Sequence, residues 1–187
     1  MQGEQNMINK AYIKITNKNN RNLLKQILTD NFKDFEMDWD NDIATLIVMD
    51  CESFQWQLKK LLSMSFQDFN VQASILIVPF FDYLFLKYLD KLNNKVCTAF
   101  EVFIRNIHED FVQTDAKEII FKLGQKNMDT LKAFLYCNGN SCETANELFI
   151  HRNTFNYRIN QLVQLNNIDI RDLNTLMFFN LIINICA

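Results

Sequence analysis

The sequence predicts a mixed fold, α/β or α+β. A small N-terminal α/β domain with a helical end (residues 1–123) leads into an all-α helix-turn-helix domain (residues 124–187). Three observations predict it. Short β-rich apolar runs alternate with amphipathic stretches up to residue 78. Helical periodicity then runs almost unbroken from Asp82. Between residues 128 and 186 the chain breaks into four helical pieces, each bounded by residues that start or stop helices.

In the first part, AYIKIT (11–16) reads as a strand, and NRNLLKQILTDNF (20–32) has helical spacing through Leu23, Leu24, Ile27 and Leu28. In 34–42, Phe35, Met37 and Trp39 alternate with Asp34, Glu36, Asp38 and Asp40, which describes a half-buried strand with one solvated face. The same stretch opens like a calcium loop at Asp38-x-Asp40-x-Asp42. The sixth and twelfth positions of such a loop need Gly and an acid, and here they hold Ile43 and Met49. IATLIVM (43–49) is another β-rich run. SFQWQLKKLLSMSF (53–66) reads as a helix capped by Ser53, and VQASILIV (71–78) as a strand ended by Pro79. Strands separated by helices suggest a sheet of three or four strands.

From Asp82, one apolar stripe comprises Leu84, Phe85, Tyr88, Leu89 and Leu92. A second comprises Phe100, Phe103, Ile104, Ile107 and Phe111 and continues through Ile119, Ile120 and Leu123. These stripes pack on the sheet, or part of 96–123 forms a seam between two copies of the chain. Gly124 reads as the hinge into the last segment.

Composition excludes several chemistries. With three glycines (Gly3, Gly124, Gly139) and one proline, there is no glycine cluster to cradle a phosphate, so no Walker or Rossmann loop is expected. Cys51, Cys97, Cys137, Cys142 and Cys186 are odd in number and irregular in spacing, and read as reduced thiols that pack as small hydrophobes. Cys137, Cys142 and His151 lack the matched second pair of a metal site. His108 sits in a polar NIHED context without a Ser or Cys partner. No catalytic residue, metal or cofactor is expected. MQGEQNMINK lacks the apolar run of a signal peptide, and no stretch is long enough to span a membrane, so a soluble cytoplasmic protein is expected. Charge runs against a nucleic-acid partner. Residues 1–123 carry 14 Lys and Arg against 17 Asp and Glu, and residues 124–187 carry five of each.

The C-terminal pieces are MDTLKAFLYC (128–137), stopped by NGN (138–140); SCETANELF (141–149), capped by Asn140 or Ser141; RNTFNYRINQLVQL (152–165), stopped by Asn166–Asn167; and LNTLMFFNLIINIC (173–186), capped by Asp172. The middle pair has helix-turn-helix spacing. Ala145 is small where two helix backbones would cross, Leu148 and Ile150 flank the turn, and Phe155, Ile159 and Leu162 recur at i, i+4, i+7. Arg152, Asn153, Thr154, Asn156, Tyr157, Asn160 and Gln161 then face outward together. Between Glu147 and Asp169, 21 residues pass without a carboxylate. A merely solvated helix would mix in Glu, a good helix former, whereas a helix laid against phosphates excludes it.

TANELFIHRNTFNYRI resembles the C-terminal helix-turn-helix of PucR/CdaR-type bacterial transcriptional regulators, which is in turn similar to the Fis-type motif. The likeness runs over about 130–186 and takes in LKAFL, NGN, NNIDIRD and the apolar last helix. It implies a sequence-specific regulator of double-stranded DNA, not an enzyme. A cyclase-like α/β fold sometimes precedes this domain in the family, but no cyclase signature is present in residues 1–120. Resemblance and geometry together place Arg152 as a reader of guanine. Asn153 and Asn156 suit adenine or phosphate, and Thr154 and Tyr157 suit phosphate. Asn160 completes the DNA-facing set. Arg158 either contacts phosphate or pairs with Glu147 or Asp169. His151 reads as an N-terminal cap or packing residue. With so few cations, one such helix would bind weakly, so a homodimer formed through the region before Gly124 is expected. A small-molecule effector is left open. The competing reading is a protein-docking module whose DNA binding has lapsed.

Overall fold

The computed structural model describes residues 8–49, 53–78 and 82–186. The N-terminal MQGEQNM, Cys51 and Pro79 lie outside the described residues. The chain divides into two compact units, one up to Val102 and one from Phe103 onward.

The first unit is built on a five-stranded sheet. Its strands are β1 (Ile8–Ile15), β2 (Phe35–Asp40), β3 (Ile43–Met49), β4 (Ala73–Ile77) and β5 (Val96–Thr98), in spatial order β2-β3-β1-β4-β5. Alternation puts Ala11, Ile13, Ala44, Leu46, Val48 and Ile75 on one face. Against it lie α1 (Arg21–Asn31), through Leu24 and Leu28, and α2 (Phe54–Phe69), through Phe54, Leu58 and Leu61. The other face is covered over β1 and β4 by a 3-10 segment, Leu86–Lys91, which follows the short α3 (Asp82–Phe85). Leu84, Phe85, Tyr88, Leu89 and Leu92, read as one stripe, are all buried.

β2 is the half-buried strand its alternation predicts. Phe35, Met37 and Trp39 pack against the core, while Glu36, Asp38 and Asp40 are exposed. The sheet departs from the sequence reading in two ways. β2 and β3 have no helix between them and form an antiparallel hairpin with Asp40 opposite Ile43, its loop carrying Asn41 at φ 52°. Asn is among the few residues that tolerate this left-handed conformation. The strand count of three or four was also too low. Val96–Thr98 interrupts the region read as helical and pairs with β4, the one parallel pairing among the described residues. Three residues are too few to show a period, so only the pairing reveals it. α4 (Ala99–Arg105) begins at once. Its N-terminus is a reciprocal box in which the Glu101 N–H donates to Thr98 Oγ1 at 3.2 Å and Glu101 Oε2 accepts from the Thr98 N–H at 2.8 Å.

The second unit contains α5 (Asp110–Leu123), α6 (Gln125–Tyr136), α7 (Ser141–Glu147), α8 (Arg152–Asn166) and α9 (Leu173–Cys186). α5 buries Val112, Ala116, Ile119 and Leu123 and packs against α6 and α9. Its apolar stripe therefore finds partners in the helices that follow it, and the division of the chain falls earlier than Gly124. Gly124, at φ 75°, turns the chain from α5 into α6. Phe103 meets Phe178 edge-on at 5.2 Å, and Phe178 meets Phe179 at 5.7 Å. Among the described residues no helix is long and apolar enough to cross a membrane.

Candidate nucleic-acid interface

Local chemistry fixes the ends of α7 and α8. Asn138 (φ 51°) and Gly139 (φ 79°) reverse the chain after α6, and the Gly139 N–H returns to the Phe134 carbonyl at 2.8 Å. The Asn140 side chain then accepts from the N–H groups of Cys142 (3.0 Å) and Glu143 (3.3 Å), capping α7. α7 stops at Glu147. The turn occupies Leu148–His151, one residue longer than the connection read from sequence. Phe149 adopts φ 54°, and the Ile150 N–H reaches back to the Ala145 carbonyl at 2.9 Å. Ala145 is buried in α7, which packs against α8. At the start of α8, His151 Nδ1 accepts from the Asn153 N–H at 3.2 Å, the capping role expected of it.

α8 is held down by Phe155, Ile159 and Leu162, all buried, with Phe155 stacked on Phe134 of α6 at 5.7 Å between centroids. Arg152, Asn153, Thr154, Asn156, Tyr157 and Asn160 lie exposed on the opposite side. Gln161 donates to Tyr157 Oη at 2.9 Å, which holds the phenol along the helix. Arg152 has no hydrogen-bonding or ion-pair partner among the described residues.

Arg158 stands apart from this set. It is half-buried, with one guanidinium nitrogen 3.4 Å from Thr130 Oγ1 on α6 and its Nε buried without a partner among the described residues. Neither carboxylate expected as its partner is used. Asp169 is taken bidentately by Arg171, at 2.7 and 2.8 Å, just beyond the end of α8. Partial burial alone would raise the Asp169 carboxyl. The Arg171 side chain and backbone N–H, with the guanidinium charge, more than offset this and hold it below its ordinary value. Thr130 is the residue that reading the sequence missed. Its signal was a hydroxyl on the buried face of α6 beside Leu131 and Phe134, where an apolar side chain would be usual. α8 closes at Asn167 (φ 54°), and Asp172 caps α9 through the Thr175 N–H at 2.7 Å.

The arrangement presents one guanidinium, amides and hydroxyls on a rigid helix, with no carboxylate from Leu148 to Ile168. Guanidinium and amide groups can donate bidentately to base edges, and hydroxyls can donate to phosphate. No cluster of three or more His, Cys, Asp or Glu side chains able to hold a metal is present among the described residues.

Two helices joined by a tight turn, the second carrying an exposed polar face above a buried apolar seam, define a helix-turn-helix domain. Residues 128–185 match the family model of the PucR C-terminal helix-turn-helix domain, and this segment is a domain of that kind. The chain is also 42% identical over 48 residues to the proline-responsive transcriptional activator PutR of Bacillus subtilis (strain 168), a match covering 26% of this chain and 12% of that protein. By structure it is similar to a regulator of polyketide synthase expression from Bifidobacterium adolescentis. The alignment covers 97% of this chain and 80% of that one, at a TM-score of 0.43 and 12% identity. That likeness is too loose to carry an argument.

Proposed function

We propose that the chain is a sequence-specific, DNA-binding transcriptional regulator that inserts α8 into the major groove and acts as a homodimer. The observation that carries this reading is the outer face of α8. Arg152, Asn153, Thr154, Asn156, Tyr157 and Asn160 are exposed together, no carboxylate lies among them, and Arg152 has no partner among the described residues. Arg152 reads guanine, Asn153 and Asn156 read adenine or fix the backbone, and Thr154, Tyr157 and Asn160 contact phosphate. Arg158 acts mainly by bracing α8 against α6 through Thr130, because its guanidinium is turned inward. Few cations are available, so one helix binds weakly. A two-fold dimer doubles the contacts and sets two reading helices about 34 Å apart on a palindromic site.

Selection from random DNA followed by a mobility-shift assay tests this. The wild type should enrich a palindrome and bind it with strong salt dependence. Arg152→Ala should lose roughly tenfold or more in affinity, in line with the ~1–3 kcal/mol of a bidentate base contact. The protein-docking reading draws on Phe149, which is 96% exposed at the turn beside α8, and on the near-neutral charge of the domain. Absence of salt-dependent binding to any sequence would favour it over DNA reading.

A further inference from the structure

The second unit holds a cleft of about 630 Å³ between three of its helices. α5 lines it with Ile120 and Phe121, α6 with Met128, and α9 with Ile183 and Cys186. The turn from α5 into α6 adds only Gly124, so it sends no side chain into the space, and a Cβ built there would meet nothing within 4 Å. Phe121 is 85% exposed, an aromatic ring that the fold leaves largely uncovered. Sites for small organic ligands span roughly 300–1,000 Å³ and are mostly apolar, with a few polar groups that fix orientation. This cleft has the size and the apolar wall of such a site.

Its charge has one sign. Lys117 on α5 and Lys132 on α6 line the cleft, and neither has a hydrogen-bonding or ion-pair partner among the described residues. No carboxylate lines it among the described residues. The acids next to it on the same helices are engaged elsewhere. Glu118 pairs with Lys122 at 3.4 Å, and Asp129 accepts from the Gln125 side chain at 2.7 Å. The Lys117 charge is felt within the cleft, at Cys186. Burial pushes that thiol up from its ordinary value, and Lys117 opposes the shift without cancelling it. Cys186 therefore stays protonated and serves as part of the apolar wall.

Two unpaired cations beside an apolar wall complement an anion carried on a hydrocarbon body. A second copy docked through the same face would set lysines against lysines. We propose that the cleft between α5, α6 and α9 binds an apolar organic carboxylate, its head between Lys117 and Lys132 and its body against Phe121, Met128 and Ile183, and that this ligand is an effector of α8. α6 links the two places. It lines the cleft with Met128 and Lys132, stacks Phe134 on Phe155 of α8 at 5.7 Å, and offers Thr130 to Arg158 at 3.4 Å. A ligand that bears on α6 thus bears on the seat of α8. The effector role rests on the DNA reading above, whereas the site does not.

Isothermal titration calorimetry on the full chain, with circular dichroism to confirm folding, tests the site without DNA. Decanoate is the probe, and decylamine has the same body with a cationic head. Decanoate should bind at one site per chain in the micromolar range, and decylamine roughly tenfold more weakly or worse. Lys117→Gln with Lys132→Gln changes two exposed side chains that support no contact of the fold, and should weaken decanoate roughly tenfold or more. Cys186→Trp, which fills the cleft from α9, should abolish binding. No decanoate binding at millimolar concentration overturns the site, and so does binding that neither variant reduces. In a mobility shift on the selected DNA, saturating decanoate should change the affinity of the wild type at least about threefold and leave that of Cys186→Trp unchanged. An unchanged wild-type affinity overturns the effector role and leaves the site standing. A chain that binds decanoate but no DNA overturns the DNA reading and, with it, the effector role alone.

Discussion

α1 and α8 solve the same packing problem and then diverge. Each is a surface helix pinned by a few buried residues at helical spacing, Leu24 and Leu28 in α1 and Phe155, Ile159 and Leu162 in α8. The outer face of α1 mixes signs, with Lys25 and Asp30 exposed. Its one arginine is consumed by the fold. Arg21 lies over the Trp39 ring at 4.3 Å, donates to the Asn41 carbonyl and pairs with Asp42. In α8 the exposed face carries no acid, and Arg152 has no partner among the described residues. α1 keeps its arginine within the fold and leaves Lys25 exposed on a face that also carries Asp30. α8 keeps one outside, on a surface cleared of carboxylates.

The largest expected effect concerns what the two helices share. Phe155→Ala should cost ~3–5 kcal/mol and Leu28→Ala ~2–5 kcal/mol in urea unfolding, since each leaves a cavity in a packed seam. A loss below about 1 kcal/mol for either would break the parallel at its root.

A smaller change separates the helices. Asn156→Glu in α8 and Gln26→Glu in α1 both add an exposed glutamate to a helix, and each should leave stability within about 0.5 kcal/mol of the wild type. In a mobility shift on the selected site, Asn156→Glu should weaken binding roughly tenfold or more, whereas Gln26→Glu should leave it unchanged. Equal effects from the two would mean that the missing carboxylates of α8 have no bearing on DNA.

The smallest effect is on acid stability. Asp42, beside the start of α1, is held below its ordinary value chiefly by its hydrogen bond with Lys18, with Arg21 adding its charge. Asp169, beyond the end of α8, is lowered by Arg171 against the opposing effect of partial burial. A carboxyl depressed in the folded state stabilises above its unfolded value of 3.8 and loses that contribution as pH falls through the lower folded value. Thermal midpoints should therefore decline below about pH 3.8, and Asp169→Asn should flatten part of that decline. A profile unchanged by the substitution would show that the Arg171 pair does not fasten the end of α8.

Much of the helix-turn-helix was legible because its determinants are local. NGN, Asn140, His151, Asn167 and Asp172 each act within a few residues of themselves, and the buried seam of α8 repeats at a fixed period. β2 was legible for the same reason, as an alternation of period two. Arg158 was not, since its partner is 28 positions away on α6 and nothing near it in sequence points there. β5 was too short for any period to appear, and the hairpin of β2 and β3 was hidden by the assumption that helices separate strands.

The sequence by itself determined which side of each helix and strand is apolar, where helices start and stop, and that α8 carries no acid, because these follow from side-chain chemistry at fixed spacing along one backbone. Only the tertiary structure decided the strand order β2-β3-β1-β4-β5, the packing of α5 onto α6 and α9, and the inward turn of Arg158. Those depend on which distant segments meet, and many pairings satisfy the same local pattern until the core selects one. The cross-strand rows of β1, β2 and β3 belong to this second class. Glu36, Ile47 and Lys10 are scattered along the chain, and register alone puts them in a row.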